Sequence, residues 1–423
     1  MRKSLMTGLA ALAAGSLALA GCGGSDGGNE PVAEKDESAE ITYGIWDENQ
    51  RGFVEETIAE FNKDYPNVKV TVALTPYKQY WTKLQTQAEG GNLPDVFWMN
   101  GPNIELYAAN DQLASLDDLE GVEWENFPES LVDLYSYDGS HYGVPKDFDT
   151  TALWYNEALF EQAGVDLPTP EWTWDDFSSA AEEISEKLDG VYGVVADLSG
   201  GQESFYNTIA QAGGYVIKDG ESGFDDPKSI EGLQIWADLI DAGAMPTVQV
   251  MADNRPNDMF TSGKAAMIWA GTWNTAIYAE DSPNPENLNL TDLPRKEQQA
   301  TTIHGLANVV AKNSENLGAA KAFVAHLATK KAAEIEGAAG VTLPAYNDTQ
   351  DEFISTYPDW NVEVYTTSAQ DYAVPYPVSM NTNAWATLEA EVLGAAFAGS
   401  TSVEDAAKDM AQKMNEMLAR ESQ

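Results

Sequence analysis

The 423-residue chain has a single cysteine, Cys22, and three scattered histidines, His141, His304 and His326. One cysteine excludes a disulfide within the chain and any cysteine-based metal site. Three distant histidines give no zinc-ligand spacing, so no metal site is assigned. Basic residues are also scarce, with 23 Lys and Arg against 68 Asp and Glu, for a formal charge of −45. Without a basic footprint to displace phosphate counterions, nucleic acid is excluded as a partner. Close docking on anionic lipid head groups is disfavoured for the same reason. The chain has no P-loop, no Gly-x-Gly-x-x-Gly between strand and helix, no Gly-x-Ser-x-Gly and no His-Glu-x-x-His. No catalytic residue and no cofactor is therefore assigned. Carboxylates are so numerous that some pair always matches a glycosidase couple, and that pattern carries little weight.

What is present is a folding composition. Hydrophobic residues make up 43% of the chain, which argues against disorder despite the charge. The length suits about two or three domain-sized units. Arg2 and Lys3 precede an apolar stretch over residues 5–20, too short for a resident transmembrane helix, and this predicts a signal peptide over residues 1–22. Its end, Leu19-Ala20-Gly21-Cys22, resembles a bacterial lipoprotein signal, in which the cysteine is lipidated and becomes the mature N-terminus. Residues 23–40, rich in Gly, Ser, Asp and Glu, read as a flexible tether.

Periodicity then predicts α/β structure throughout. Ile41, Tyr43 and Ile45 alternate as a strand, and Val54, Ile58, Phe61 and Tyr65 share a helical face. Val68, Val70, Val72 and Leu74 alternate again, a helix follows over 77–89, and 95–98 is a third strand. That order is expected of a parallel sheet with crossover helices. Thr173 to Asp176 reads as a helix cap, and 265–269 and 306–311 read as buried strands. Val403, Ala407, Met410, Met414 and Met417 share one face of a C-terminal helix, as core filling.

The aromatic content is 12 Trp and 18 Tyr. Trp46, Trp98, Trp269 and Trp273 fall at or near predicted strand ends, where open α/β sheets place ligand crevices. An indole face covers the apolar face of a sugar ring, and neighbouring Asp, Asn and Lys hydrogen-bond its hydroxyls.

The run Tyr142-Gly143-Val144-Pro145-Lys146-Asp147-Phe148-Asp149, continuing through Trp154-Tyr155-Asn156 to Phe160, resembles the signature of bacterial extracellular solute-binding proteins of the maltose-binding type. Trp154 at an apolar position and Gln162 at a usually charged or Asn position depart modestly from it. Gly271-Thr272-Trp273 resembles the family's Gly-x-Trp, and residues 308–331 its returning N-lobe segment. The resemblance implies a two-lobed periplasmic-binding-protein-like fold of type II, with hinge strands between lobes and the ligand in the cleft. It divides the chain into an N-lobe over 41–148, a C-lobe over 149–305, an N-lobe return over 306–352 and C-lobe helices over 353–423. It also implies a non-enzymatic role in capturing an oligosaccharide for an ABC permease, with the lipid as the membrane contact.

Carried over by position, Trp273 is the expected stacking residue and Trp385, after Asn383, a second one. Asp149 is the expected acidic ligand contact. Trp46, Asp47, Trp98 and Asn100 end the first and third strands. Lys146 and Asp147 lie at the first crossing between lobes and His304 at the second, while Glu203 precedes a segment that reaches the cleft in relatives. Asp47, Asp147 and Asp149 also suit a cationic solute such as a polyamine. From another class, an extracellular glycosidase would share the Trp platforms and carboxylates.

Overall fold

The computed structural model describes residues 32–421. Cys22 and the expected signal peptide lie outside the described residues. Two sheets, one per lobe, organise the chain. The N-lobe sheet has the order Val68–Leu74, Ala39–Ile45, Val96–Asn100, Leu306–Val310, Gly143–Pro145. Its first three strands pair in parallel, as the strand–helix–strand order predicts. Leu306–Val310 comes back antiparallel to both Val96–Asn100 and Gly143–Pro145, so the sheet is mixed. The C-lobe sheet, Leu288–Thr291, Thr151–Asn156, Ala265–Gly271, Tyr192–Val195, is mixed as well.

Both central strands are buried on both faces, which is why they read as continuous apolar runs rather than alternating ones. Helices cover them. Trp174–Lys187 starts at a capping box between Thr173 and Asp176 and buries Phe177, Ala181 and Ile184. Val403–Glu421 buries Val403, Ala407, Met410 and Met414 in the C-lobe core, with Met417 at its edge.

The ordered N-lobe begins earlier than the expected tether allows. Ala33 is buried and its N–H bonds to the Gly318 carbonyl, Lys35 pairs with Asp64, and the first strand starts at Ala39. Residues 32–40 thus pack on the domain because two small apolar side chains there find a core edge. The last boundary also shifts. Helix Asp351–Thr356 packs on Lys330–Ala338 in the N-lobe, and helix Val364–Asp371 packs on C-lobe strands, so the chain crosses between 356 and 364 rather than at 352.

The other crossings build the hinge. Asp147–Phe148 pairs antiparallel with Leu343–Pro344, Asp149 and His304 exchange backbone hydrogen bonds, and Thr301–Ile303 runs parallel to Ala373–Pro375. Short paired strands fix the crossing points while leaving few contacts to resist rotation of the lobes.

Candidate functional site: the interlobe cleft

A hollow of about 450 Å³ opens between the lobes. The N-lobe contributes Trp46, Asp47, Tyr77 and Asn100 to its wall, from the ends of strands and the helices that follow them. Asp147, Asp149 and His304 come from the crossing strands. Gln202, Trp273 and Tyr376 complete it from the C-lobe side. A larger hollow, about 580 Å³, is lined by C-lobe residues alone. The interlobe hollow is the one that lobe closure would seal.

The aromatic walls are built in depth. Trp46 is half-buried and packs edge-on against Trp98 at 5.1 Å and Tyr80 at 4.9 Å, with Tyr77 beside it at 5.6 Å. Tyr77 itself is 54% exposed, an open aromatic face at the cleft. On the other side, Trp273 lies half-buried on the strand end. A Cβ at Gly271 would sit 2.0 Å from its ring, so only glycine there lets the indole lie down on the backbone. Glu203 locks this turn from behind, accepting from the Gly271 N–H at 2.7 Å and the Asn274 amide at 2.8 Å.

The hinge carboxylates are already occupied. Lys146 donates to Asp147 at 2.8 Å, Glu336 at 2.6 Å and Gln50 at 2.9 Å, with its ammonium also 5.1 Å from the Trp98 and Phe53 ring centres. Burial works against the Lys146 charge, but Asp147 and Glu336 outweigh it and hold the group a cation. The second Asp147 oxygen accepts from the Leu306 N–H at 2.7 Å, which ties the first crossing to the second. Burial, with Asp147 adding to it, raises the Asp149 carboxyl well above the usual carboxylate range, against a 2.8 Å hydrogen bond from the Gln202 amide. Burial likewise pushes His304 down to about 4, against the pull of Asp147. His304 is neutral, and its Nε2 accepts from the Gly101 N–H at 3.3 Å.

Of the residues expected at the site, Trp46, Asp47, Asn100, Asp147, Asp149, Trp273 and His304 line this hollow. Five do not. Trp98 is fully buried two residues inside its strand, beneath Trp46, and its indole N–H donates to the Tyr43 hydroxyl at 2.7 Å. Trp385 is fully buried too, because its helix turns that position into the C-lobe core, where its N–H meets Ser379 at 3.0 Å. Its neighbour Asn383 faces out and donates to Asn103 of the N-lobe, a contact between lobes rather than a cleft wall. Lys146 is consumed by the ion cluster, and Glu203 supports Trp273 from behind. Trp269 is likewise core. Tyr77, Gln202 and Tyr376 escape the sequence reading. Tyr77 follows the end of the second strand, so the strand-end rule reaches it. Tyr376 and Gln202 lie in loops with no periodic signal.

The sequence matches the family described as bacterial extracellular solute-binding protein over residues 46–334, more than half of the chain. The chain belongs to this family. It is a solute-binding protein, not an enzyme. Among curated relatives, an arabinooligosaccharide-binding protein of Bacillus subtilis is 25% identical over 73% of this chain and 72% of its own length. A maltooligosaccharide ABC transporter solute-binding lipoprotein of Streptococcus pneumoniae is 26% identical over 77% and 76%. Among solved structures, an ABC substrate-binding protein from Listeria monocytogenes in complex with cycloalternan superposes with a TM-score of 0.83 at 28% identity, covering 90% of this chain and 100% of that one.

In this binding protein the support beneath Trp273 has a pH signature. Burial pushes the Glu203 carboxyl from its ordinary 4.5 up to about 8, although its hydrogen bonds from Gly271 and Asn274 oppose the rise. The folded state therefore holds this proton more tightly than the unfolded chain. The resulting stability is complete below about pH 4.5 and is lost as pH rises through 8. Glu203→Gln keeps one carbonyl oxygen for both donors and removes the ionisation. Its melting temperature should fall less steeply than that of the wild type between about pH 5 and 8. Parallel slopes for the two proteins would contradict this account of Glu203.

Proposed function

We propose that this protein captures a neutral oligosaccharide in the interlobe cleft and delivers it to the membrane subunits of an ABC importer. The observation that carries the reading is the pairing of aromatic walls from both sides, Trp46 and Tyr77 against Trp273 and Tyr376, around hinge acids that already have partners. Such walls suit the flat apolar faces of sugar rings. The polyamine reading needs free carboxylates. Asp147 is tied to Lys146 and Leu306, and Asp149, its carboxyl raised above the usual carboxylate range, accepts from Gln202, which leaves Asp47. A glycosidase pair also needs a second carboxylate free to act as base or nucleophile, and both oxygens of Asp147 are engaged. Relatives named for arabino-, galacto- and maltooligosaccharides support the substrate class.

A thermal-shift screen of neutral mono- and oligosaccharides beside spermidine tests this. A sugar at a hundred times its dissociation constant should stabilise the protein by about 2.7 kcal/mol. Stabilisation by spermidine and by no sugar would overturn the reading.

The anchor is part of the same proposal. Lipid at Cys22, in the Leu19-Ala20-Gly21-Cys22 setting, holds the binding protein at the outer membrane face beside its permease. Cys22→Ala should move the protein from the membrane fraction to the medium, and retention at the membrane would refute lipidation.

A further inference from the structure

The Lys146 ammonium spends only part of itself on the hinge. An ammonium has three N–H donors and no lone pair. Asp147 and Glu336 each accept from it, and so does the Gln50 side-chain oxygen at 2.9 Å. Gln50 is 4% exposed, closes the short helical turn Glu48–Gln50 and borders the cleft. Because Lys146 can only donate, the Gln50 amide has one sense. Its oxygen faces the ammonium, and its NH2 group is left to donate elsewhere. That group donates to Asp47 Oδ2 at 3.2 Å. The other Asp47 oxygen caps the same turn, accepting from the Asn49 N–H at 3.0 Å. Asp47 is half-buried and lines the cleft just past the end of the first strand. A carboxylate has about four acceptor sites, so Asp47 keeps capacity for groups in the cleft. Lys146 and Asp47 come from distant segments, so the line from hinge to cleft is a product of the fold.

We propose that Gln50 is a positioning residue, oriented by Lys146, that holds the Asp47 carboxylate as an acceptor for a ligand hydroxyl in the cleft. The amide ties one carboxylate oxygen and the turn ties the other, so the group is set before the ligand arrives. A carboxylate held in this way need not be ordered on binding. The same ammonium binds Asp147 on the first crossing strand, so the acceptor is keyed to the hinge. Acceptance from a ligand hydroxyl rests on the oligosaccharide reading; the line from Lys146 to Asp47 does not.

Two arms separate them. In the ligand-free protein, isotope-labelled glutamine shows the Gln50 side-chain amide by NMR, its signals identified by their loss in Gln50→Met. They should move in Asp47→Ala, which removes the acceptor. Signals left in place overturn the positioning role. In the second arm, calorimetry with maltotriose, arabinotriose and a galactotriose measures affinity. Gln50→Glu still accepts from Lys146 but turns a carboxylate oxygen, rather than an amide N–H, toward Asp47. It should weaken the sugar that binds by about tenfold or more, and Gln50→Met by about three- to tenfold. In an Asp47→Ala background neither change should add to the loss. Wild-type affinity in Gln50→Glu would mean that Gln50 serves only to satisfy Lys146, and it overturns the proposal. Full additivity with Asp47→Ala would mean that Gln50 acts on the sugar by itself, which also overturns it. If Gln50→Glu fails to fold, Gln50→Met decides by the same cycle. If the wild type binds none of the three sugars, the oligosaccharide reading fails for them, and the amide arm alone decides the line to Asp47.

Discussion

Trp273→Ala should weaken oligosaccharide binding by more than tenfold while leaving the ligand-free melting temperature nearly unchanged. The indole is half-buried, lies flat over Gly271 and lines the cleft, so truncation removes a large rigid apolar face from a preformed wall. Hot-spot truncations of this kind cost about 2 kcal/mol or more, and each 1.4 kcal/mol is roughly a factor of ten. Trp98→Ala is the control, because that indole is fully buried and bonded to Tyr43. It should lower the melting temperature through a core cavity, by about 3 kcal/mol of stability. Calorimetry and thermal melts on both variants distinguish the roles. Unchanged affinity in Trp273→Ala would show that Trp273 is packing rather than platform.

Lys146→Ala should destabilise the protein by about 3 kcal/mol or more, the cost of leaving buried charge without its counterion. The side chain is 4% exposed, and its ammonium holds Asp147 and Glu336 within 2.8 and 2.6 Å. Burial pushes the Glu336 carboxyl up to about 7, with Lys146 opposing and Asp147 adding to the rise. Without Lys146 the carboxyl is held neutral to still higher pH. The loss should therefore be smallest in acid, where Glu336 is protonated with or without its partner, and should grow as pH rises through 7. Denaturant unfolding at about pH 5 and pH 8 reads this directly. A loss that is small and equal at both values would mean that the cluster is not a structural keystone of the hinge.

How much of this was legible in the residues differs by level. Alternation in Val68–Leu74 and the cap at Thr173 mark elements directly, because period and capping are local properties. The strand-end rule finds Trp46, Asn100 and Trp273, since a strand's last residues emerge at one sheet edge. It overreaches at Trp98, which is two residues inside that edge, where the Trp46 ring and the Lys146 ammonium cover it. Distance from the strand end decides between platform and support, and a one-dimensional reading does not resolve two residues. Trp385 fails for a similar reason: the rotation of its helix, set by packing against the C-lobe core, turns the indole inward. Lys146 and Asp147 read as either hinge or ligand groups because Glu336, which shares the Lys146 ammonium with Asp147, lies 190 residues from Lys146. Tyr376 and Gln202 sit in loops whose path depends on tertiary contacts, so no local pattern marks them.

The central claim is that a neutral oligosaccharide, not a cation, occupies the cleft. Calorimetric titration of the purified protein with maltotriose, arabinotriose, a galactotriose and spermidine, each at low and high salt, tests it most directly. The account predicts saturable one-site binding of at least one sugar, with an affinity that salt leaves unchanged, because no net charge is screened on binding. Tight spermidine binding that weakens as salt rises, with no sugar bound, would contradict it.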